Sequence, residues 1–288
     1  MSSISPIKPT DKKGAAEFRT APPEGLLRAT ARYMLRIEVH TFAFSVAANA
    51  ILSFFPFLLL LMTLIRYVFH SRLMYAVVEN LLRDYLPTGQ EFVIRNLNAL
   101  VTAHHRAQIF SLVMLLITSS GIFLPLEVAL NRVWGFRNNR SYLRNQLISL
   151  GLVFACGSLA LISVGLTAGN VVIVKSALHG YGAWYVQLVD FMTMKVFAIG
   201  ASITIFFLVY WVLPNGKVPV QAVLPAAVIM GALSEALKYV YFFALPRLDF
   251  VEVYGPFAIS VSLMFWAFLS GMLLLTGGYL SARKTQLR

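Results

Sequence analysis

Glu127 ends a run of twenty residues, Ala107–Leu126, that contains no charged side chain. A carboxylate in such surroundings can carry a proton, hold a cation or neutralise a nearby base, because leaving it ionised and alone in hydrocarbon is costly. Ser120, Glu127 and Asn131 recur at i, i+7 and i+11, which places them on one helix face, with Pro125 close by. A second polar set, Ser45, Asn49 and Ser53, is spaced by four residues and precedes Pro56. Proline at that position leaves the carbonyl of Leu52 without its helical donor and predicts a kink. Ser45, Asn49, Ser53, Pro56, Ser120, Glu127 and Asn131 therefore make up a candidate intramembrane polar seam. Such a seam would pass a proton or a polar headgroup between hydrogen-bonding groups. The same residues also fit interhelical glue worth about 0.6–2 kcal/mol each, with Glu127 pairing Arg132 or Arg140. The sequence leaves both readings open.

Other chemical signals are sparse. His104-His105 is the one His pair, and no carboxylate or Cys set stands near it to complete a metal site. Neither P-loop, HExxH, GxSxG nor CxxC occurs, so no catalytic residue, metal or cofactor is predicted. Cys156, the single cysteine, lies in an apolar run and reads as a small hydrophobe. Asp190 with Lys195, and Glu235 with Lys238, fall near outer span ends and read as snorkelling or surface pairs.

The elements that must position these groups follow from charge patterning. Six stretches carry no charge: Val39–Ile65, Ala107–Leu126, Asn145–Val174, Val196–Gly216, Val218–Ser234 and Val253–Ala282, of 27, 20, 30, 21, 17 and 30 residues. A helix of about 20 apolar residues crosses a bilayer core about 30 Å thick. With 58% hydrophobic and 12% charged residues and a mean hydropathy of +0.73, the chain of 288 residues has a membrane composition. The predicted fold is all-α and polytopic, with spans at about 41–65, 107–128, 147–172, 196–213, 218–236 and 257–280. Residues 1–23 read as a disordered tail without a cleavable signal, 24–38 as an interfacial helix and 283–288 as a short tail.

In the interfacial helix, Leu26, Thr30, Tyr33, Met34 and Ile37 form an apolar stripe beside Arg28, Arg32 and Arg36. Between the first two spans, 70–104 reads as two amphipathic helices separated at Leu86-Pro87, with Thr88 and Glu91 at capping-box spacing. Gly165 and Gly169 stand at GxxxG spacing in the third span, and Ser262, Trp266 and Ser270 share a stripe in the last. With both termini in the cytoplasm, the inner segments hold fifteen cations and four acids, and the outer segments nine and seven. The net charge of +12 thus follows the positive-inside bias and predicts no nucleic-acid partner. Membrane lipids are the predicted partners.

Ser53-Phe54-Phe55-Pro56, the stretch Ala129-Leu130-Asn131-Arg132-Val133-Trp134-Gly135, Tyr254-Gly255, Trp266 and Gly277-Gly278 resemble, in order and spacing, the motifs of the YihY/virulence factor BrkB family. The likeness covers roughly residues 28 to 282, and its motif residues include Arg132, Gly135, Tyr254, Gly255 and Trp266. The chain departs from the pattern at Asn49-Ala50, where an aromatic is usual, and at Gly278-Tyr279, where the family has Gly-Ala-Glu. The resemblance implies a multi-pass protein of the bacterial cytoplasmic membrane linked to export of an envelope lipid. It also implies that the family's old label, ribonuclease BN, is a misassignment. A non-transporting scaffold for envelope assembly is the alternative.

Overall fold

The computed structural model describes residues 25–86, 90–103, 105–136, 140–177 and 183–286. The predicted N-terminal tail, Thr88 and His104 lie outside them. The described residues are 90% helical, with no strand among them.

A short helix, α1 (Leu26–Met34), leads into α2 (Ile37–Tyr67). Two further short helices follow, α3 (Arg72–Tyr85) and α4 (Gln90–Ala103), and then the long α5 (His105–Trp134), α6 (Tyr142–Ala177), α7 (Ala183–Val212) and α8 (Val220–Ala244). A 3₁₀ turn at Leu245–Arg247 and the small α9 (Phe250–Tyr254) precede the last long helix, α10 (Ala258–Gln286). The six charge-free runs fall on α2, α5, α6, α7, α8 and α10. Among the described residues, five stretches are apolar and long enough to cross a bilayer: Ile37–Tyr67, Leu143–Thr167, Lys195–Val212, Val220–Ala244 and Phe250–Arg283. Ala107–Leu126 lies on α5, a helix of 30 residues.

The long helices close into a ring in the order α2, α5, α6, α7, α8, α10, with α10 returning to α2. Helix α10 also touches α5 and α1, so its C-terminal half is enclosed: Gly271–Met272–Leu273 and Leu275–Tyr279 are all buried. One end of the ring carries Arg132, Arg140, Lys217 and Arg283 and is called the basic end here. Pro56 sits inside α2 without ending the helix.

Helix α1 buries part of the apolar stripe: Tyr33 is buried, with Ala29 beside it, and Thr30 is half-buried, whereas Met34 is exposed and Ile37, which opens α2, is 84% exposed. Tyr33 stacks on Tyr279 of α10 at 4.4 Å between ring centroids. The helix is thus fastened to the bundle by one aromatic pair, and burial raises the Tyr33 phenol above its ordinary pKa.

Helices α3 and α4 pack Met74, Val78, Leu82, Val93, Ile94, Leu97 and Val101 against Leu58, Leu61, Met62 and Ile65 of α2. Ser71 caps α3 by accepting the Met74 N–H at 3.2 Å. A polar chain ties the pair together: the Tyr75 hydroxyl donates to Asn98 Oδ1 at 2.5 Å, and Asn98 Nδ2 donates to Glu79 Oε1 at 2.6 Å. Burial, and then the Glu79 charge, raise the Tyr75 phenol above its ordinary pKa. Asn98→Leu leaves both partners unsatisfied and should cost about 1–3 kcal/mol, read as a lower thermal midpoint in detergent and earlier proteolysis between α3 and α4.

Two apolar cores result. The larger, at the basic end, joins Val39 and Val46 of α2, Leu126 and Leu130 of α5, Tyr210 of α7, Met230 of α8 and Leu275 of α10. The second joins the far end of α2 to α3, α4 and Val164 of α6. Among the described residues, α7 and α8 supply none of its members.

Candidate functional site: the polar groups of the bundle

At the basic end, α5 stops in a Schellman turn. Gly135 takes φ +74°, and the Phe136 N–H reaches back to the Asn131 carbonyl at 2.9 Å. A side chain at Gly135 would have to adopt the left-handed conformation, so this family-motif glycine sets the exit of the chain. The turn aims Asn131 and Phe136 at the α7–α8 loop. Asn131 Oδ1 accepts the Asn215 N–H at 2.7 Å, and the Phe136 ring lies where a Cβ on Gly216 would stand, 2.3 Å from its Cε1. Arg140 donates to the carbonyls of Leu213, at 3.3 Å, and Pro214. Two loops are thereby clasped by groups from Asn131 to Arg140.

Glu127 is 4% exposed and lies one turn before Asn131, whose Nδ2 donates to Glu127 Oε1 at 3.5 Å. The pairing expected with Arg132 is not made: Arg132 bonds Glu38 on the exposed surface. Arg140 feels the Glu127 charge instead. Burial lowers the Arg140 pKa, and the Glu127 carboxylate opposes that effect. A small pocket beside this cluster, lined by Tyr33, Arg36, Glu38, Phe42, Ala129 and Arg132, holds about 20 Å³, room for a water molecule.

On α2 the predicted face is largely satisfied within its own helix. Asn49 Nδ2 donates to the Ser45 carbonyl at 2.9 Å, and the Ser53 hydroxyl donates to the Ala50 carbonyl at 3.0 Å. Asn49 nevertheless meets α5: its Oδ1 lies 2.0 Å from where a Cβ on Gly121 would be. Gly121 thus makes room for the polar side chain. The structure brings Asn49 to α5 at Gly121 and Glu127 to Asn131, but no bond among the described groups joins these two sets. The Ser120 side chain is outside those described.

In the last helix, Ser262 is fully buried and its carbonyl accepts the Tyr241 hydroxyl at 2.8 Å. Trp266 packs on the same tyrosine at 5.0 Å between centroids. Tyr254 is 45% exposed, and Gly255 takes φ +52° at the turn into α10, a conformation that favours glycine. Trp266 therefore acts in packing, and Gly255 in turning the chain.

The reading of Glu235 and Lys238 as a surface pair needs correction. They do pair, but Glu235 is 6% exposed and accepts the Ser202 hydroxyl of α7 at 2.9 Å. The charge-free run stops at Ser234, so Glu235 reads as lying at the outer end of its span, about 218–236. Helix α8 continues to Ala244 and carries Glu235 into the bundle. The clue was Gly231 one turn earlier, where Ile203 of α7 comes within 2.8 Å of a built Cβ by its own Cα. Gly165, in contrast, meets the Met74 side chain at an ordinary 3.6 Å. The Asp190 side chain lies outside those described; Lys195 packs over the Tyr239 ring at 4.7 Å.

Comparison with known proteins agrees with this architecture. The family model described as Virulence factor BrkB matches residues 30–287. A UPF0761 membrane protein of Acinetobacter baylyi is 30% identical over 203 residues, covering 67% of this chain and 46% of that protein. One from Pseudomonas aeruginosa is 28% identical, covering 69% of this chain and 47% of the relative. One from Chlorobium limicola is 23% identical over 82% of this chain and 53% of the relative. The chain therefore spans about half the length of the curated relatives it matches. No solved structure matches it.

Proposed function

The chain belongs to the virulence factor BrkB family, and from that premise we propose that it is a non-enzymatic protein of the cytoplasmic membrane that moves an envelope lipid or related amphiphile. The observation that supports this reading is the division of the core. The basic end is filled by residues from all six long helices, whereas α7 and α8 are absent from the second cluster among the described residues. Asn49 and Ser53 lie on α2 between the residues it gives to the two clusters, and Ser202 and Glu235 meet between α7 and α8. Polar groups at that depth offer a headgroup hydrogen-bonding partners, while exposed apolar side chains such as Phe44, Ile117 and Val240 face the acyl chains. The excess of Arg and Lys at the closed end supports placing it, with both termini, in the cytoplasm.

The test is lipid movement in vesicles reconstituted with the purified protein, read with headgroup-labelled lipids and a membrane-impermeant quencher. Flux above empty vesicles is expected, with Asn49→Leu and Glu127→Gln each lowering it about tenfold. Unchanged flux in both variants would reduce the seam to packing, and flux equal to empty vesicles would remove the transport reading. A specific observation favours a scaffold in that event: Leu73, Phe92 and Leu100 on α3 and α4 are exposed beyond the spans, and site-directed crosslinking there would capture the partner.

A further inference from the structure

We propose that Glu235 is a proton-binding site inside the membrane, exchanging with the aqueous phase on the side of Lys238. The inference goes beyond lipid movement and stands on the α7–α8 geometry alone.

Fifteen residues separate Glu235 from the start of α8 at Val220, a rise of about 22 Å. That depth lies inside a hydrocarbon layer of about 30 Å, in the half remote from the basic end. The carboxylate is 6% exposed, so lipid and bulk water are both held off. Its two partners converge on one oxygen: the Ser202 hydroxyl and the Lys238 ammonium both address Oε1.

A structural explanation of the ion pair fails on connectivity. Glu235 and Lys238 are three residues apart on the same helix, so their attraction joins no two elements. The polar tie between α7 and α8 is the Ser202 bond, which the carbonyl oxygen of a neutral carboxylic acid still accepts, though less strongly than a carboxylate does. Keeping a charged pair in low dielectric carries a desolvation cost for each ion that their attraction must offset. A neutral acid avoids that cost. One proton added at Oε2 converts the carboxylate to an acid, leaves the Ser202 bond in place and frees Lys238. The lysine side chain is 30% exposed, and its four-carbon stem can carry the ammonium to the headgroup layer about one turn farther on. Loss of the proton to that aqueous side reverses the step.

On α7, Lys195 lies over the Tyr239 ring. Arg247, in the turn after α8, bonds the Phe243 carbonyl at 2.7 Å. Helix α10, the other neighbour of α8, has no ionisable side chain between Ala258 and Gly278. Lys238 is the cation paired with the carboxylate on its own helix.

Infrared difference spectra of the protein in lipid nanodiscs, recorded between about pH 5 and pH 9, read the site directly. The expected result is a protonated-carboxyl C=O band in the wild type that grows as pH falls and is lost in Glu235→Gln. In Lys238→Met the band should respond to pH differently from that of the wild type, since the neighbouring cation is gone. Identical difference spectra for wild type and Glu235→Gln would overturn the proposal. So would a band whose pH dependence is the same in Lys238→Met. Neither readout depends on lipid flux, so failure here and failure of the transport reading are separable.

Discussion

Gly231→Ala should lower the thermal midpoint of the detergent-solubilised protein by about 3–10 °C, the equivalent of roughly 1–3 kcal/mol. A Cβ at this position would stand 2.7 Å from Ile203 Cγ1, 2.8 Å from its Cα and 2.9 Å from its N. A side-chain atom could swing away, but a helical backbone cannot. The strain is relieved only if α7 and α8 separate, and that separation also stretches the Ser202–Glu235 bond one turn farther along. Without a hydrophobic drive between helices in lipid, close backbone contact and such bonds supply much of the association energy. Gly231→Leu should therefore prevent isolation of a monodisperse protein. Gly200→Ala is the control, because a Cβ there meets nothing within 4 Å. It should melt with the wild type or slightly above it, as alanine favours helix over glycine. Equal midpoints for Gly231→Ala and the wild type would mean that the two helices do not approach as described.

These particulars show why some of the molecule was legible in the sequence and some was not. Membrane helices announce themselves through the absence of charge, a property of each segment alone, so α2, α6 and α10 could be read without their neighbours. The motif from Asn131 to Gly135 was visible as residues but not as a device. Its meaning depends on Asn215, Gly216 and the Leu213 and Pro214 carbonyls, about eighty positions downstream. Glu235 was misplaced for a related reason. A charged residue ends a hydropathy run whether it leaves the membrane or enters a protein-lined interior, and only a partner helix separates the two cases. The GxxxG spacing stands at Gly165, while the close contacts fall at Gly121, Gly216, Gly231, Gly277 and Gly278. Small residues permit close approach, but tertiary packing decides which of them receive it. Tyr33 shows the same limit: its stripe was visible, but not its stacking partner Tyr279.

Asn131→Asp should destabilise the protein by about 3 kcal/mol at neutral pH, and most of that loss should disappear on acidification. The substitution keeps an oxygen for the Asn215 N–H, which Asn131 Oδ1 accepts at 2.7 Å. It also replaces the amide that donates to Glu127 Oε1 at 3.5 Å with a second carboxylate, at a site 8% exposed. Two buried like charges at that separation cannot both stay ionised cheaply, and an uncompensated buried charge costs about 3–5 kcal/mol. The folded variant would therefore hold a proton that the unfolded chain releases above its ordinary carboxylate pKa of about 4. A folded-state value raised in this way makes the variant's stability fall as pH rises and recover as pH drops. Asn131→Leu separates the terms. It leaves the Asn215 N–H without its acceptor and should cost about 1–3 kcal/mol at every pH. In the double variant Glu127→Gln with Asn131→Asp, only one carboxylate remains, and the pH-dependent part of the deficit should vanish. Denaturation midpoints followed from about pH 5 to pH 8 decide the matter. A deficit in Asn131→Asp that neither varies with pH nor yields to Glu127→Gln would show that the two side chains do not share one buried site.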